Sequence, residues 1–123
     1  MFSIAGALGR VAMVDESILP ANTNQALAII SPDMEIIKPN FLTLCLMSTL
    51  TQSKIEGLKV GVAQSNLSLA QVSSFEIPIP NLETQDKIVT YVAKEKELIS
   101  ANLELVNIFE QKIKDKISEV WGE

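Results

Sequence analysis

The feature that most constrains this chain is a repeat of β-branched residues near its C-terminus, spaced seven residues apart. The repeat consists of Val92, Ile99, Val106, Ile113 and Val120. Seven residues are close to two turns of an α-helix, so these side chains fall along one side of it. A helix cannot bury such a seam against itself. The repeat therefore predicts a helix that assembles with a partner surface, rather than a catalytic element.

The segment around this repeat has no helix-breaking residue between Leu82 and Trp121. At about 1.5 Å per residue it forms a helix roughly 60 Å long, and we predict a spacer or dimerisation helix over residues 81–123. Asn102, near its middle, is expected to fix the register of pairing at some cost in stability. An ordinary helix packed on its own domain is the alternative. The predicted pairing residues are Ile88, Val92, Ile99, Asn102, Leu103, Val106, Phe109, Ile113, Ile117 and Val120.

Size and charge limit what the rest of the chain can do. Of 123 residues, about 80 remain outside the helix, and a piece of that size buries only roughly 60 % of its unfolded surface. Such a core is marginal without further support. The formal net charge of −5 and the pI near 4.7 argue against a free-standing nucleic-acid binder, which normally carries a basic face.

The one cysteine and the absence of long apolar runs indicate a cytoplasmic chain. Cys45 has no partner for an intrachain disulfide, as is typical of a reducing compartment. It lies in an apolar run, so we expect a buried structural thiol. No apolar run approaches the roughly 18 residues of a membrane helix, and no targeting sequence is evident. We expect no membrane association.

Local patterns predict short elements before the long helix. Residues 9–14 and 26–30 are expected to be strands, entered through glycine and polar turns. Pro39 suits the first turn of a helix that is apolar nearly all round as far as Leu50, and hence buried. Residues 54–63, with two glycines, resemble a loop leading to a short strand. Residues 75–80 contain two prolines and are expected to be an extended edge strand.

Two capping signals frame the C-terminal part of the chain. Ser68 and Gln71 fit a capping box at the start of a short helix. Asn81 is expected to cap the long helix, with Glu83 and Asp86 facing the positive end of its dipole. The predicted fold class is α+β, a small globule of short strands and helices followed by a long C-terminal coiled-coil-type helix.

The residue inventory offers little for catalysis. The chain has no histidine, which excludes Ser-His and Cys-His nucleophile pairs and the commonest zinc ligand. We predict no catalytic residue, metal or cofactor. Amide and basic side chains in the loops are the types that contact bases and phosphates. The DNA-contact candidates are Arg10, Asn22, Asn24, Gln25, Lys54, Lys59, Gln64, Ser65 and Asn66.

Four sequence blocks stand out, at residues 6–11, 21–26, 64–68 and 77–85. In their order and spacing they resemble the C-terminal part of a DNA specificity subunit of a type I restriction-modification system. The last block, Pro-x-Pro-x-Leu-x-x-Gln before a long helix, is the most distinctive. The resemblance covers essentially the whole chain.

This resemblance implies a partial target recognition domain over residues 1–80, followed by a conserved spacer helix. In the family, two such units each read half of a split DNA target, and their helices pair antiparallel and dock methyltransferase subunits. Methylation and cleavage belong to other subunits, and the restriction subunit is an indirect partner. Because a family recognition domain is longer than 80 residues, we expect weak or no DNA binding by this chain alone. We expect a homodimer through the helix.

Three points stay open at this level. The heptad period does not give helix direction, and β-branched core positions alone favour parallel dimers. A dimerisation or adaptor module without DNA recognition is one alternative function. The recognition region of a fused DNA N6-adenine methyltransferase is another.

Overall fold

The computed structural model describes residues 1–59 and 66–122. Within these residues, two short strands and four α-helices follow one another, which confirms the α+β class with a long C-terminal helix. The elements are β1 (Phe2–Ser3), a 3-10 turn (Glu16–Ile18), β2 (Leu27–Ala28), α1 (Pro39–Met47), α2 (Thr49–Lys59), α3 (Leu69–Ser73) and α4 (Leu82–Trp121).

The sheet is smaller than the sequence predicts. β1 pairs with β2 in antiparallel register, with Phe2 opposite Ala28. The strand expected over residues 26–30 is thus confirmed, but only two residues long. The strand expected over residues 9–14 is wrong, since only a single antiparallel bridge joins Val11 to Phe2. Gly9, the first residue of this segment, turns the chain with φ of +78°.

The core is formed where the strands meet α1 and α2. Phe2 and Ile55 are completely buried. The Phe2 ring packs edge to face on Phe75, with 6.2 Å between the ring centroids and 74° between the ring planes. The buried apolar cluster comprises Phe2, Leu8, Ala28, Leu46, Ile55 and Leu67.

The apolar segment after Pro39 folds as two helices rather than one. α1 begins at Pro39 as predicted and ends at Met47, because Ser48 is extended. Predicted burial all round is wrong, since Met47 is 52 % exposed and Leu50, which lies in α2, is 64 % exposed. Phe41 and Leu46 are buried, and Leu42, Leu44 and Cys45 are only half-buried.

The loop expected over residues 54–63 is wrong as far as residue 59, since α2 runs to that point. The expected strand at its end lies outside the described residues. A glycine such as Gly57 costs a helix about 1 kcal/mol relative to alanine. Burial of Thr51 and Ile55, one turn apart, outweighs that cost.

The extended edge strand expected over residues 75–80 is also wrong. The segment has no regular secondary structure and pairs with neither strand. Pro78 and Pro80 lack the amide hydrogens that a ladder needs. Phe75 and Ile77 pack instead against the core cluster through their side chains.

Both predicted helix caps are confirmed. The Ser68 hydroxyl accepts a hydrogen bond from the Gln71 amide, and the Gln71 side chain accepts one from the Ser68 amide. The Asn81 Oδ1 atom accepts a hydrogen bond of 2.9 Å from the Thr84 amide at the start of α4. Local side chains thus satisfy the free amides that begin each helix.

The chain divides into two compact units, Met1–Asp86 and Lys87–Glu123. The first holds both strands, α1, α2, α3 and the first turn of α4. The second, as far as it is described, is the remainder of α4, and its residues 93–122 are all exposed. Within the described ranges, no helix combines the length and apolarity required to cross a membrane.

Candidate nucleic-acid interface and helix surface

Three of the four sequence blocks meet at the chain segment around β1. The Ser3 amide donates to the Arg10 carbonyl at 2.9 Å, and the Ile4 amide donates to the Ala26 carbonyl at 2.8 Å. The Ile4 carbonyl accepts from the Leu67 amide, also at 2.8 Å. Loops that are far apart in sequence are therefore held on one framework of backbone hydrogen bonds.

The loop that carries Arg10 is fixed from two sides. The Arg10 amide donates to the Ser3 Oγ atom at 2.8 Å. From α2, the Gln52 Nε2 atom donates to the Gly9 carbonyl at 3.1 Å, and Ile55 lies against the glycine. Arg10 itself is exposed. A rigid loop thus presents a cationic side chain to solvent.

The second polar loop, residues 21–26, contains three of the DNA-contact candidates, and each has a different environment. The Asn24 Oδ1 atom accepts a hydrogen bond of 3.0 Å from the Ala26 amide, so this oxygen closes the turn before β2. Gln25 is exposed. Asn22 is exposed at the edge of an open groove of about 870 Å³. That groove has a mainly apolar lining that includes Met13 and Ile29, so Asn22 lies beside an apolar surface rather than in a basic pocket.

The remaining candidates are scattered or lie outside the described part. Lys54 is exposed on α2, and Asn66 is exposed in the segment before α3. Gln64 and Ser65 lie outside the described residues, as does the side chain of Lys59. The structure therefore places Arg10, the amides Asn22, Asn24 and Gln25, and Asn66 on loops around one strand, whereas Lys54 lies on α2.

Charge in the first unit is unfavourable for contact with phosphates. Residues 1–86 contain four Lys and Arg against eight Asp and Glu, a net charge of −4. Lys38 is engaged by an ion pair with Asp86. Among the described cationic side chains of this unit, Arg10 and Lys54 remain as exposed candidates, too few for a basic face.

Gln85 is a structural residue whose role the sequence does not reveal. Its side chain is completely buried in the first turn of α4. The Oε1 atom accepts from the Lys38 amide at 2.9 Å, and the Nε2 atom donates to the carbonyls of Ile36 at 3.0 Å and Pro80 at 2.8 Å. One amide group thus ties α4 to the segment that enters α1. The sequence signal was the last residue of the Pro-x-Pro-x-Leu-x-x-Gln block.

The predicted pairing face of α4 is exposed over most of its length. Val106 is 52 % exposed and Ile113 is 60 % exposed, whereas Ile88, near the start, is 38 % exposed. Contiguous apolar surface of this kind marks an interaction site. Lys112 lies over the Phe109 ring, with 5.6 Å between the Nζ atom and the ring centroid.

The ionisable groups offer no reactive centre in the described residues. Cys45 is partly buried rather than fully buried as predicted, and this partial burial raises the pKa of its thiol, which lowers its thiolate fraction. Hydrogen bonds from Ser17 lower the pKa of Asp15, whose carboxylate caps the 3-10 turn. Within residues 1–59 and 66–122, no cluster of three or more His, Cys, Asp or Glu residues could hold a metal ion.

Comparison with known proteins agrees with the four sequence blocks. Residues 1–117 match the family described as the type I restriction modification DNA specificity domain. Over 92 residues, 75 % of this chain, the sequence is 36 % identical to the type I restriction enzyme EcoBI specificity subunit of Escherichia coli. The match spans 19 % of that subunit. No solved structure matches the chain. Because the family match covers nearly every residue, the chain belongs to the type I restriction modification DNA specificity domain family.

Proposed function

We propose that the chain is a noncatalytic DNA sequence-specificity component of a type I restriction-modification system. In this proposal it contributes to recognition of a half-site of a split DNA target. It docks methyltransferase subunits through α4, and the restriction subunit joins indirectly. The observation that carries the proposal is the family match over residues 1–117. The match to a named specificity subunit supports it further.

The proposed docking and self-pairing surface is the apolar face of α4. The apolar residues of the predicted pairing face recur from Ile99 to Val120, and each of them is more than half exposed. At about 25 cal/mol per Å² of buried apolar area, covering such a face stabilises an assembly substantially. A homodimer through this face and a complex with methyltransferase subunits are both proposed.

The proposed DNA-contact region is the set of loops around β1. It combines the exposed Arg10 with the amides of the second loop and with Asn66. The net charge of −4 over residues 1–86 opposes phosphate contact, so we expect this chain alone to bind DNA weakly or not at all. Affinity in a complete assembly would then come from additional protein surface.

The test is reconstitution with a type I methyltransferase subunit. The two proteins are co-expressed with a randomised plasmid library, and adenine methylation is mapped by single-molecule sequencing. We expect methylation at a defined split sequence that requires the specificity chain. Replacing Arg10 with Ala should reduce methylation at that sequence, whereas Lys94→Ala, on exposed α4 outside the loops, should not. A methylation pattern identical with and without the chain would contradict the proposal.

A dimerisation or adaptor module without DNA recognition is the second candidate. Two observations favour it, namely the acidic first unit and the exposed apolar face of α4. It predicts binding of the methyltransferase subunit without any effect on which DNA sequences are methylated. It also predicts no salt-sensitive binding to random duplex DNA, since phosphate contacts are what make binding depend on salt.

A further inference from the structure

β1 has a hydrogen-bonded neighbour on each side, and both neighbours continue past its first residues. On one side the Ala12 amide donates to the Met1 carbonyl at 3.0 Å, and the Met1 nitrogen donates to the Ala12 carbonyl at 2.7 Å. On the other side β1 pairs with β2, with Phe2 opposite Ala28. Residues 13–14 and 29–31 therefore extend beyond Met1. We call the space between residues 12–14 and residues 29–31 the acceptor slot.

The acceptor slot is the part of the open apolar groove that lies next to β1. Met1, residues 11–14 and residues 29–32 all line this groove, together with Leu42 and Leu46 of α1. Met13 is 54 % exposed and Ile29 is 69 % exposed. An apolar surface thus lies uncovered at the point where the central strand of this small sheet stops.

The backbone groups that face the acceptor slot have no partner among the described residues. In an antiparallel ladder, alternate residues of a strand bond to the same neighbour. Arg10 and Ala12 bond to β1 on one flank, and Ala26 bonds to the end of β1 on the other. The same alternation points the backbone groups of Val14 and Ile30 into the slot. Within residues 1–59 and 66–122, neither of these amides donates a hydrogen bond.

We propose that the acceptor slot binds an extended strand of about three residues, joined ahead of residue 1, which continues β1 between its two neighbours. This strand would bond to Ile30 on one flank and to Val14 on the other. The inference goes beyond the proposed function, because it assigns a polypeptide-binding surface to the groove.

The direction of the ladder favours a segment that is joined to residue 1. A strand antiparallel to both flanks runs the same way as β1, so its last residue meets the Met1 nitrogen. That nitrogen already makes the hydrogen bond to Ala12 that an amide in the ladder would make. The matched region is 19 % of the related specificity subunit, so that subunit contains polypeptide beyond the part that resembles this chain.

The two faces of the sheet define the chemistry of the bound strand. Residues directly opposite one another across a sheet point to the same face. The position directly ahead of residue 1 therefore shares a face with Phe2, which is completely buried, and with Ile30, which packs against the core. We expect an apolar, β-branched residue there and a more polar one at the next position outward.

Binding of this strand would stabilise two of the loops that carry DNA-contact candidates. The flank that contains Val14 follows the Arg10 loop, and the flank that contains Ile30 follows the loop of residues 21–26. A strand bonded to both flanks holds the two loops at a fixed separation. The acceptor slot thus supports the loops from behind rather than contacting DNA.

The first experiment measures amide hydrogen exchange by NMR in chains that carry Val-Thr-Val or Gly-Ser-Gly joined ahead of residue 1. We expect the Val14 and Ile30 amides to exchange about tenfold more slowly with Val-Thr-Val than with Gly-Ser-Gly. The Met13 and Ile29 amides point away from the slot and should exchange at similar rates in both chains. Equal exchange of Val14 and Ile30 in the two chains would overturn the inference.

A third extension, Val-Pro-Val, separates ladder bonding from apolar contact. Its proline lacks the amide hydrogen that the Val14 carbonyl would accept, while its two valines are unchanged. We expect it to lose most of the protection that Val-Thr-Val gives. Protection as strong as with Val-Thr-Val would show that no ladder forms, and would overturn the proposed strand.

Two further measurements distinguish the source of the strand. A free acetylated Val-Thr-Val peptide at about 1 mM should protect Val14 and Ile30 less than the joined segment does, since joining raises the effective concentration. Equal protection by the free peptide would overturn the assignment to a joined segment. Protection that grows with the concentration of the unextended chain would assign the slot to a second copy and overturn it as well. The methylation map judges DNA specificity independently of all these outcomes.

Discussion

Gly9 is the residue at which the Arg10 loop approaches α2 most closely. Its φ is +78°, and a Cβ atom there would lie 2.8 Å from the Ile55 Cδ1 atom and 2.9 Å from the Gln52 Oε1 atom. Gly6 has a similar φ of +68° but open space around it. The two glycines thus share a left-handed conformation that strains any other residue, and they differ in how closely α2 approaches.

Gly9→Ala is expected to lower the free energy of unfolding by about 2–4 kcal/mol, from strain together with overpacking. Gly6→Ala should cost only about 1 kcal/mol, since it adds strain without contact. Urea unfolding followed by circular dichroism measures both. Equal losses for the two variants would show that α2 does not pack on the Gly9 loop.

Cys45 provides a test of burial through its titration. Desolvation raises the pKa of this thiol in the folded chain. The unfolded chain therefore forms thiolate first, so the thiol's contribution to stability is present below its ordinary pKa and declines as pH rises above it. At pH 8, we expect a disulfide reagent to react about tenfold or more slowly with the folded chain than with the chain in urea. Equal rates would contradict burial of the thiol.

At the scale of the element, the Gln85 side chain holds the start of α4 by hydrogen bonds to the segment that enters α1. Gln85→Ala removes three hydrogen bonds and leaves one partly buried amide and two partly buried carbonyls without those partners. We expect a loss of about 2–3 kcal/mol in the free energy of unfolding, measured in urea. Gln111→Ala is the control, since the Gln111 side chain is exposed and its Nε2 atom donates to the Asp115 carboxylate one turn along the same helix.

That control should change stability by less than about 0.5 kcal/mol, as is usual for surface positions. Hydrogen exchange gives a second readout, since Gln85→Ala should speed exchange of the amides in the first turn of α4. Unaltered exchange there, together with unaltered stability, would mean that Gln85 does not hold this turn.

Elements with local signals could be predicted from the sequence. The capping box at Ser68, the cap at Asn81 and the start of α1 at Pro39 were predicted correctly because their partners lie within four residues. The length of α4 followed from the absence of Pro and Gly. Such signals do not depend on how the rest of the chain folds.

Elements that depend on distant contacts were predicted poorly. Gly57 suggested a loop, but Ile55 packs into a core made by residues far away in sequence, and a helix results. Residues 75–80 were expected to pair as a strand, whereas they contribute Phe75 to the core instead. Tertiary packing outweighed local propensity in both places.

The two candidate surfaces also differ in whether local sequence patterns or distant contacts determine them. Exposure of the α4 face follows directly from its repeat, whereas the meeting of the loops around β1 depends on hydrogen bonds between distant segments. Gln85 was visible as a motif residue, but its partner Lys38 is 47 positions away. The sequence therefore identifies Gln85 as a motif residue but does not reveal its structural role.

At the scale of the whole molecule, the two units differ in what they offer. Residues 1–86 form an acidic globule that holds three polar loops on one framework. Lys87–Glu123 is dominated by an exposed apolar helix face. In the proposed function the first unit contributes to DNA contact and the second to assembly. We propose that assembly is the part that this chain performs by itself.

Sedimentation equilibrium of the purified chain over a concentration series tests the central claim, that the α4 face is an assembly surface. The wild-type chain should reversibly form a dimer. Val106→Asp, which places a charge at the centre of the seam, should make it monomeric over the same range. Ser100→Asp, a similar charge on the far side of the helix, should leave the dimer intact. A wild-type monomer at every concentration, or a dimer that persists with Val106→Asp, would contradict the account.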